Sequence, residues 1–179
     1  RTKMTLLSNI RGSSATSFGG AATGSSSHFL VRVATNTSLD IDGNGNTVVD
    51  YNSFGSVVQN VGSDYTIGTN RYTCPATGLY HFQAGVRLDG IGSGYALSAI
   101  GPAGLATDYN GTGTDEIDAL WASTYFLSGT PASNYETLKN STTIKLNAGQ
   151  TVQHYIVLQS DGTVTINNRG SAFSGFLIG

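Results

Sequence analysis

A chain of 179 residues with 39% hydrophobic and only 11% charged side chains is about one domain, large enough to bury a real core. Nine basic against eleven acidic residues leave a net charge of −2 with no basic run, which excludes a nucleic-acid binder held by phosphate contacts. No apolar run approaches the ~20 residues of a membrane helix, and the single cysteine, Cys74, excludes an internal disulfide. The 24 Gly, and Ser, Thr and Asn in place of the missing charges, suit short strands, tight turns and stacking against like subunits. A cysteine-poor chain of this kind fits assembly in a reducing cytoplasm, with durability coming from burial and oligomerisation.

The chain begins at Arg1 rather than Met and reads as a piece of a longer product. Residues 1–10 have Leu6, Leu7 and Ile10 as their apolar anchors. The next stretch, GSSATSFGGAATGSSS over 12–27, has the composition of a linker. It buries too little apolar area to offset its own chain entropy, so it is expected to lie against another surface. Residues 1–27 are therefore read as an extended N-terminal arm and 28–179 as the domain.

The first strand is expected at 29–33, FLVRV. Asp40, Ile41, Asp42, Gly43, Asn44, Gly45 and Asn46 follow as a turn cluster, then a short strand at 47–51. Asp40, Asp42, Asn44 and Gly45 match the first half of a calcium loop. Its twelfth position, which needs a bidentate Glu, holds Tyr51. A turn in which Asx and Gly accept positive φ is the better reading, and no metal site is expected. A strand at 53–60 offers Phe54 and Val58 to the core.

The stretch RYTCPATGLYHFQAGVRLD, 71–89, organises the chain. From Tyr80 to Leu88 it alternates strictly: Tyr80, Phe82, Ala84, Val86 and Leu88 point one way, His81, Gln83, Gly85 and Arg87 the other. A period of two over nine residues is a strand with one buried and one wetter face. Pro75 and Gly78 place a turn before it, and Tyr72 and Phe82 are large enough to anchor a core. Cys74 reads as a small core residue rather than a reactive thiol.

Further strands are expected at 95–100, 120–127, 142–146, 152–159, 163–167 and 172–178. The one helix candidate is a turn around 114–120. Turn signals about every ten residues without a helical period mark a sandwich or barrel.

Tyr72, Thr73, Cys74, Pro75, Ala76, Thr77, Gly78, Leu79, Tyr80, His81 and Phe82 resemble the signature of C1q-type globular heads, in which an aromatic, a Pro and Gly-x-Tyr-x-Phe follow one another. Ser171–Ile178, SAFSGFLI, is similar to that family's last strand, and Leu146–Val152, LNAGQTV, to the entry to its penultimate long strand. The matches fall in the family's order across roughly residues 29–179. The resemblance implies an all-β, ten-strand antiparallel jelly-roll sandwich of the C1q and tumour-necrosis-factor type, associating as a homotrimer. Fold alone does not select a ligand.

Candidates for chemistry are few. Asp115, Glu116 and Asp118 could supply a general acid and base, but nothing fixes their separation, and a solvated loop is the better reading. No His-x-x-x-His spacing links His28, His81 or His154, and no triad is set out by sequence, so no catalytic or metal residue is assigned. His154, between apolar residues, is expected in the core or a subunit seam. Trp121 and Tyr125 are expected in the core. Tyr109, Asp115 and Tyr135 are the candidate contacts for a surface ligand.

The function expected is non-enzymatic and without cofactor. The chain reads as a virion surface protein, such as a head fibre, decoration protein or tail-fibre tip, whose arm attaches to other virion proteins through Leu6, Leu7 and Ile10. Its head would then face the particle's exterior and contact a host-surface glycan or protein. An extracellular bacterial adhesin or carbohydrate-binding module is the alternative, and a glycosidase-type enzyme a third reading resting on the acidic cluster alone.

Overall fold

The computed structural model describes residues 27–42, 47–50, 55–91, 94–104, 120–128 and 135–179. The arm anchors Leu6, Leu7 and Ile10, the core candidate Phe54, the turn residues Asn44 to Asn46, and Tyr109, Asp115, Glu116 and Asp118 lie outside them.

The described chain is built of strands: β1 (His28–Arg32), β2 (Thr37–Asp42), β3 (Thr47–Asp50), β4 (Ser56–Val61), β5 (Tyr65–Thr66), β6 (Arg71–Thr73), β7 (Gly78–Asp89), β8 (Gly94–Pro102), β9 (Ala122–Ser128), β10 (Tyr135–Leu146) and β11 (Thr151–Leu177). A single 3-10 turn, Ile67–Thr69, interrupts them. All pairings are antiparallel.

β11 organises the architecture. Its first part, from Val152 to Ser160, pairs with β8; its last part, from Thr165 to Leu177, pairs with β7. β7 and β8 are consecutive, so β11 tracks one long ribbon around a bend. On the far side of that ribbon β9 lies on β8 and β10 on β7. On the other edge of β11, β3 and β6 pair with its first part and β2 and β1 with its last. The result is a front sheet ordered β10-β7-β11-β1-β4 and a back sheet of β9, β8, the start of β11, β3, β6 and β5.

Glycine makes the bend. Gly90 and Gly162 have φ of 82° and 102°, a region that L side chains avoid. A Cβ on Gly90 would also lie 2.9 Å from the Thr163 carbonyl oxygen.

The bend folds the two sheets face to face. His154, early in β11, packs on Phe173, late in the same strand, with ring centroids 5.7 Å apart. Between the sheets lies an aromatic core. Phe29 stacks on Tyr65 and Tyr72 at 4.8 and 4.9 Å and meets Phe173 edge-on at 4.9 Å. Tyr72 meets Phe82 at 5.7 Å and Tyr80 stacks on Phe82 at 6.0 Å. Such pairs contribute ~0.5–1.5 kcal/mol each beyond the area they bury.

Strand β7 has the faces its alternation predicts. Tyr80, Phe82, Val86 and Leu88 are fully buried and Ala84 nearly so, while Gln83 is exposed and His81, Gly85 and Arg87 are half-buried. Gly175 fills a demanding place in the last-strand motif. A Cβ there would meet Phe82 ring atoms at 2.3 and 2.6 Å and Phe29 at 2.8 Å. The aromatics of β7 and β1 occupy the space a side chain would need.

Four expectations are corrected. Asp40, Ile41 and Asp42 belong to strand β2, paired with residues 161–163 of β11, and not to a turn. The short strand expected at 142–146 extends back to Tyr135, because every residue of β10 finds a partner on β7. The three C-terminal strands are one continuous β11, since it crosses from back sheet to front without leaving the ladder. Val58 is 48% exposed rather than core. A bulge pairs Leu30 with Gln59 but Val31 with Val57, leaving Val58 unopposed; Val57 packs on the core instead.

Candidate functional site

The inner face of the front sheet is committed to the core. On its outer face, register brings residues far apart in sequence into rows across five strands. One row runs Thr143, His81, Phe176, His28, Val61. The next runs Ser141, Gln83, Ser174, Leu30, Gln59, and the third Lys139, Gly85, Ala172, Arg32, Ser56.

The middle of these rows is small. Gly85, Ala172 and Ser174 floor a shallow trough of about 450 Å³ between Lys139 and Leu30. It continues into a second hollow of about 470 Å³ beside His28 and Phe176. Phe176 is 46% exposed and Val61 41%, large apolar groups on this outer face. His81 lies 5.4 Å from Phe176 between ring centroids, and its Nδ1 is 2.9 Å from Thr143 Oγ1.

Charge on this face is one-sided. Arg32, Lys139 and Lys145 are exposed and basic. Asp89 sits at the far end of β7, where Arg87 Nε is 2.9 Å from Asp89 Oδ1 and Asn167 Nδ2 donates to Asp89 Oδ2 at 2.6 Å. Among the described residues, Asp40, Asp42, Asp50 and Asp161 fall along the bend formed by β2, β3 and β11.

Of the residues proposed from sequence as ligand contacts, Tyr135 is placed at the start of β10, 51% exposed. The Arg87 guanidinium lies over its ring at 4.1 Å, a cation–π contact that occupies one face of the ring. Tyr135 is thus joined to Arg87 and Asp89 as a fixed corner of the front sheet. Trp121 is half-buried against the core, as the sequence suggests, and Tyr125 falls on β9.

The structure also joins residues that sequence spacing could not. Ser98 Oγ lies 2.8 Å from His154 Nε2, and Asn140 Nδ2 donates to Ser98 O at 2.6 Å and to Ser98 Oγ at 3.0 Å. Asn140 stands on the front sheet and Ser98 on the back, so this contact ties the layers together. Ser98 and His154 are sealed in the core at 0% and 1% exposure, out of reach of a substrate. Burial pushes the His154 imidazole down to about pKa 3, holding it neutral. Cys74 is buried, and burial pushes its thiol up to about 11 despite a hydrogen bond from Tyr80 that lowers it. A thiol so far from thiolate is structural. Among the described residues no group of three or more His, Cys, Asp or Glu could hold a metal ion. No described helix is long and apolar enough to cross a membrane.

No family model and no curated protein matches the chain. Solved structures do. The globular domain of zebrafish complement 1qA protein is 16% identical, covers 86% of this chain and 98% of its own, and superposes with a TM-score of 0.52. Murine APRIL at pH 5.0 is 11% identical, with 86% and 99% coverage and a TM-score of 0.55. Eiger TNF from S. frugiperda is 10% identical, with 86% and 92% coverage and a TM-score of 0.52. At these identities the likeness shows the fold, a C1q/TNF-like jelly roll, and says nothing of ligand.

Proposed function

We propose that this C1q/TNF-like jelly roll is the displayed head of a non-enzymatic virion surface protein, assembled as a homotrimer through the outer face of its front sheet. The observation that carries the assembly is that face itself. It exposes Phe176 and Val61, has a trough floored by Gly85, Ala172 and Ser174, and carries the exposed cations Arg32, Lys139 and Lys145. A second copy fits it by charge, because Asp40, Asp42, Asp50 and Asp161 lie along the bend of β2, β3 and β11, off this face. A contact between two different patches is heterologous and closes as a ring. The family resemblance gives the ring three members.

The virion setting rests on composition. A surface poor in charge and rich in Gly, Ser, Thr and Asn suits a fibre head or decoration protein, and residues 1–27 with Leu6, Leu7 and Ile10 serve as the attachment arm. Asp115, Tyr109 and the Tyr135 corner remain the surface for a host glycan or protein.

Ser174→Arg tests the assembly. It fills the trough with a cation on an already positive face and leaves the core intact. Sedimentation or native mass measurement is expected to show a trimer for the parent chain and a folded monomer for the variant. A variant that stays trimeric overturns the seam. Deleting residues 1–26 tests the arm: a folded, trimeric head that no longer joins its particle is expected, and normal attachment refutes it.

A further inference from the structure

Tyr135 of β10 stands directly opposite Asp89 of β7, and Thr137 opposite Arg87. On the other side of β7, Asn167 of β11 stands opposite Arg87. Three contacts fix this corner of the front sheet. Arg87 Nε donates to Asp89 Oδ1 at 2.9 Å, Asn167 Nδ2 donates to Asp89 Oδ2 at 2.6 Å, and the guanidinium carbon of Arg87 lies 4.1 Å from the centre of the Tyr135 ring. The two charged side chains are each 29% exposed and Tyr135 is 51% exposed, so a ligand can reach all three.

The groups are held but not used up. A carboxylate offers about four acceptor sites, and each Asp89 oxygen takes one donor here. Arg87 gives Asp89 one N–H of its fork and keeps the terminal ones. A sugar hydroxyl both donates and accepts, so it can bridge such a pair, while the apolar C–H face of the sugar ring suits an aromatic side chain. Arg87 and Asp89 offset each other's charge, which favours a neutral ligand, and an acidic sugar would meet the Asp89 carboxylate. A protein partner needs roughly 800 Å² per side around well-packed anchors. Tyr135 instead has polar neighbours on this face, Asp89, Arg87 and Thr137.

The corner also stands at the end of the head away from the arm. Ser27, the arm's last residue, accepts a hydrogen bond from the Leu177 N–H, and Leu177 pairs with Tyr80 near the start of β7. Asp89 ends that strand, roughly 30 Å further along at the rise of an extended chain. A head held by its arm therefore turns this corner outward, and Phe176 and Val61 lie at the other end of the sheet. We infer that the Tyr135–Arg87–Asp89–Asn167 corner binds a neutral sugar of a host glycan. The inference rests on the reading of the chain as a displayed head, and narrows its host-surface ligand to a glycan at this one place.

The test uses the full chain on an array of immobilised oligosaccharides, neutral ones ending in glucose, galactose, mannose or N-acetylglucosamine beside sialylated ones. Titration calorimetry with the best free neutral oligosaccharide follows. The parent chain is expected to bind a neutral glycan. Tyr135→Ala is expected to weaken binding at least about tenfold, and Tyr135→Phe, which keeps the ring, to retain it. Thr137→Arg leaves all four residues in place and sets a long side chain beside Tyr135, and is expected to weaken binding as much. Far-UV circular dichroism reads the fold and native mass measurement the oligomer of each variant. No binding to any neutral glycan overturns the site, as does binding to sialylated chains alone. Binding unchanged by both Tyr135→Ala and Thr137→Arg puts the sugar elsewhere and overturns the corner. These outcomes leave the arm and the seam standing, since those are read by particle attachment and by the Ser174→Arg oligomer.

Discussion

Gly175→Ala sets two physical effects against each other. In a strand interior, glycine costs roughly 0.5–1 kcal/mol relative to alanine, so on local grounds the substitution stabilises. The packing says the reverse. The new Cβ would stand 2.3 and 2.6 Å from two atoms of the Phe82 ring and 2.8 Å from Phe29. Carbon contacts are comfortable at ~3.5–4.0 Å, so two rings must each retreat by roughly an ångström. Neither has room: Phe82 is fully buried and Phe29 is 2% exposed, and both are packed against Tyr72 and Phe173. Overpacking of this kind costs ~1–3 kcal/mol. After the local gain the net loss is about 1–2 kcal/mol, or a fall in Tm of about 2–8 °C for a chain of this size. Gly85→Ala, compared with its own parent in the monomeric Ser174→Arg background because Gly85 floors the proposed seam, is the control on the same sheet. Its Cβ would face outward with nothing nearer than 3.6 Å, so it is expected to be neutral or stabilising by a few tenths of a kcal/mol. Thermal and urea unfolding at one protein concentration reads both. A Gly175→Ala protein as stable as the parent would show that the core is looser than these distances say.

Phe82→Ala is expected to cost ~3–5 kcal/mol in urea unfolding, while Gln83→Ala, one residue along on the outer face, leaves the unfolding of a monomeric Ser174→Arg background within about 0.5 kcal/mol. The depressed His154 titration predicts stability that is complete above about pH 6.5 and falls as pH drops toward about 3, because the unfolded chain takes up a proton the folded one refuses; the slope is ~1.4 kcal/mol per pH unit, and His154→Gln flattens it. Cys74 is expected to resist thiol reagents under native conditions and to react at the unfolding rate in urea; rapid native labelling would refute its burial.

Local pattern was enough for part of this fold. The alternation from Tyr80 to Leu88 needs only a strand with one dry side, and it gives the core face of β7 residue by residue. Tyr72 and Phe82 were visible as anchors by size. Where both faces of a strand are covered, alternation disappears: β8 is buried from Ala96 to Gly101, with Leu97 and Ala99 packing outward against Tyr155, Val157 and Leu120. The outer-face rows were illegible for another reason. Which residue of β11 stands beside His81 depends on the register of strands about ninety positions apart, fixed by the whole core and not by any local motif. The Ser98–His154 contact and the Val58 bulge are likewise products of register. The Asp40–Asp42 segment misled because Asx-rich sequence is turn-like by propensity, while pairing with β11 holds it extended.

The shared strand has a consequence for synthesis. β7 and β1 are both neighbours of β11 in the front sheet and have no ladder with each other, and β8 and β3 are in the same position in the back sheet. Every layer therefore waits for residues 151–177, which leave the ribosome after all the strands they pair with. Until then β7 can hold β10, and β8 can hold β9, but each presents a bare edge that another nascent copy could pair with. Closure joins β1 to β11 over more than a hundred residues, so the folding step is expected to be slow. A chain stalled or cleaved before residue 151 loses both sheets together.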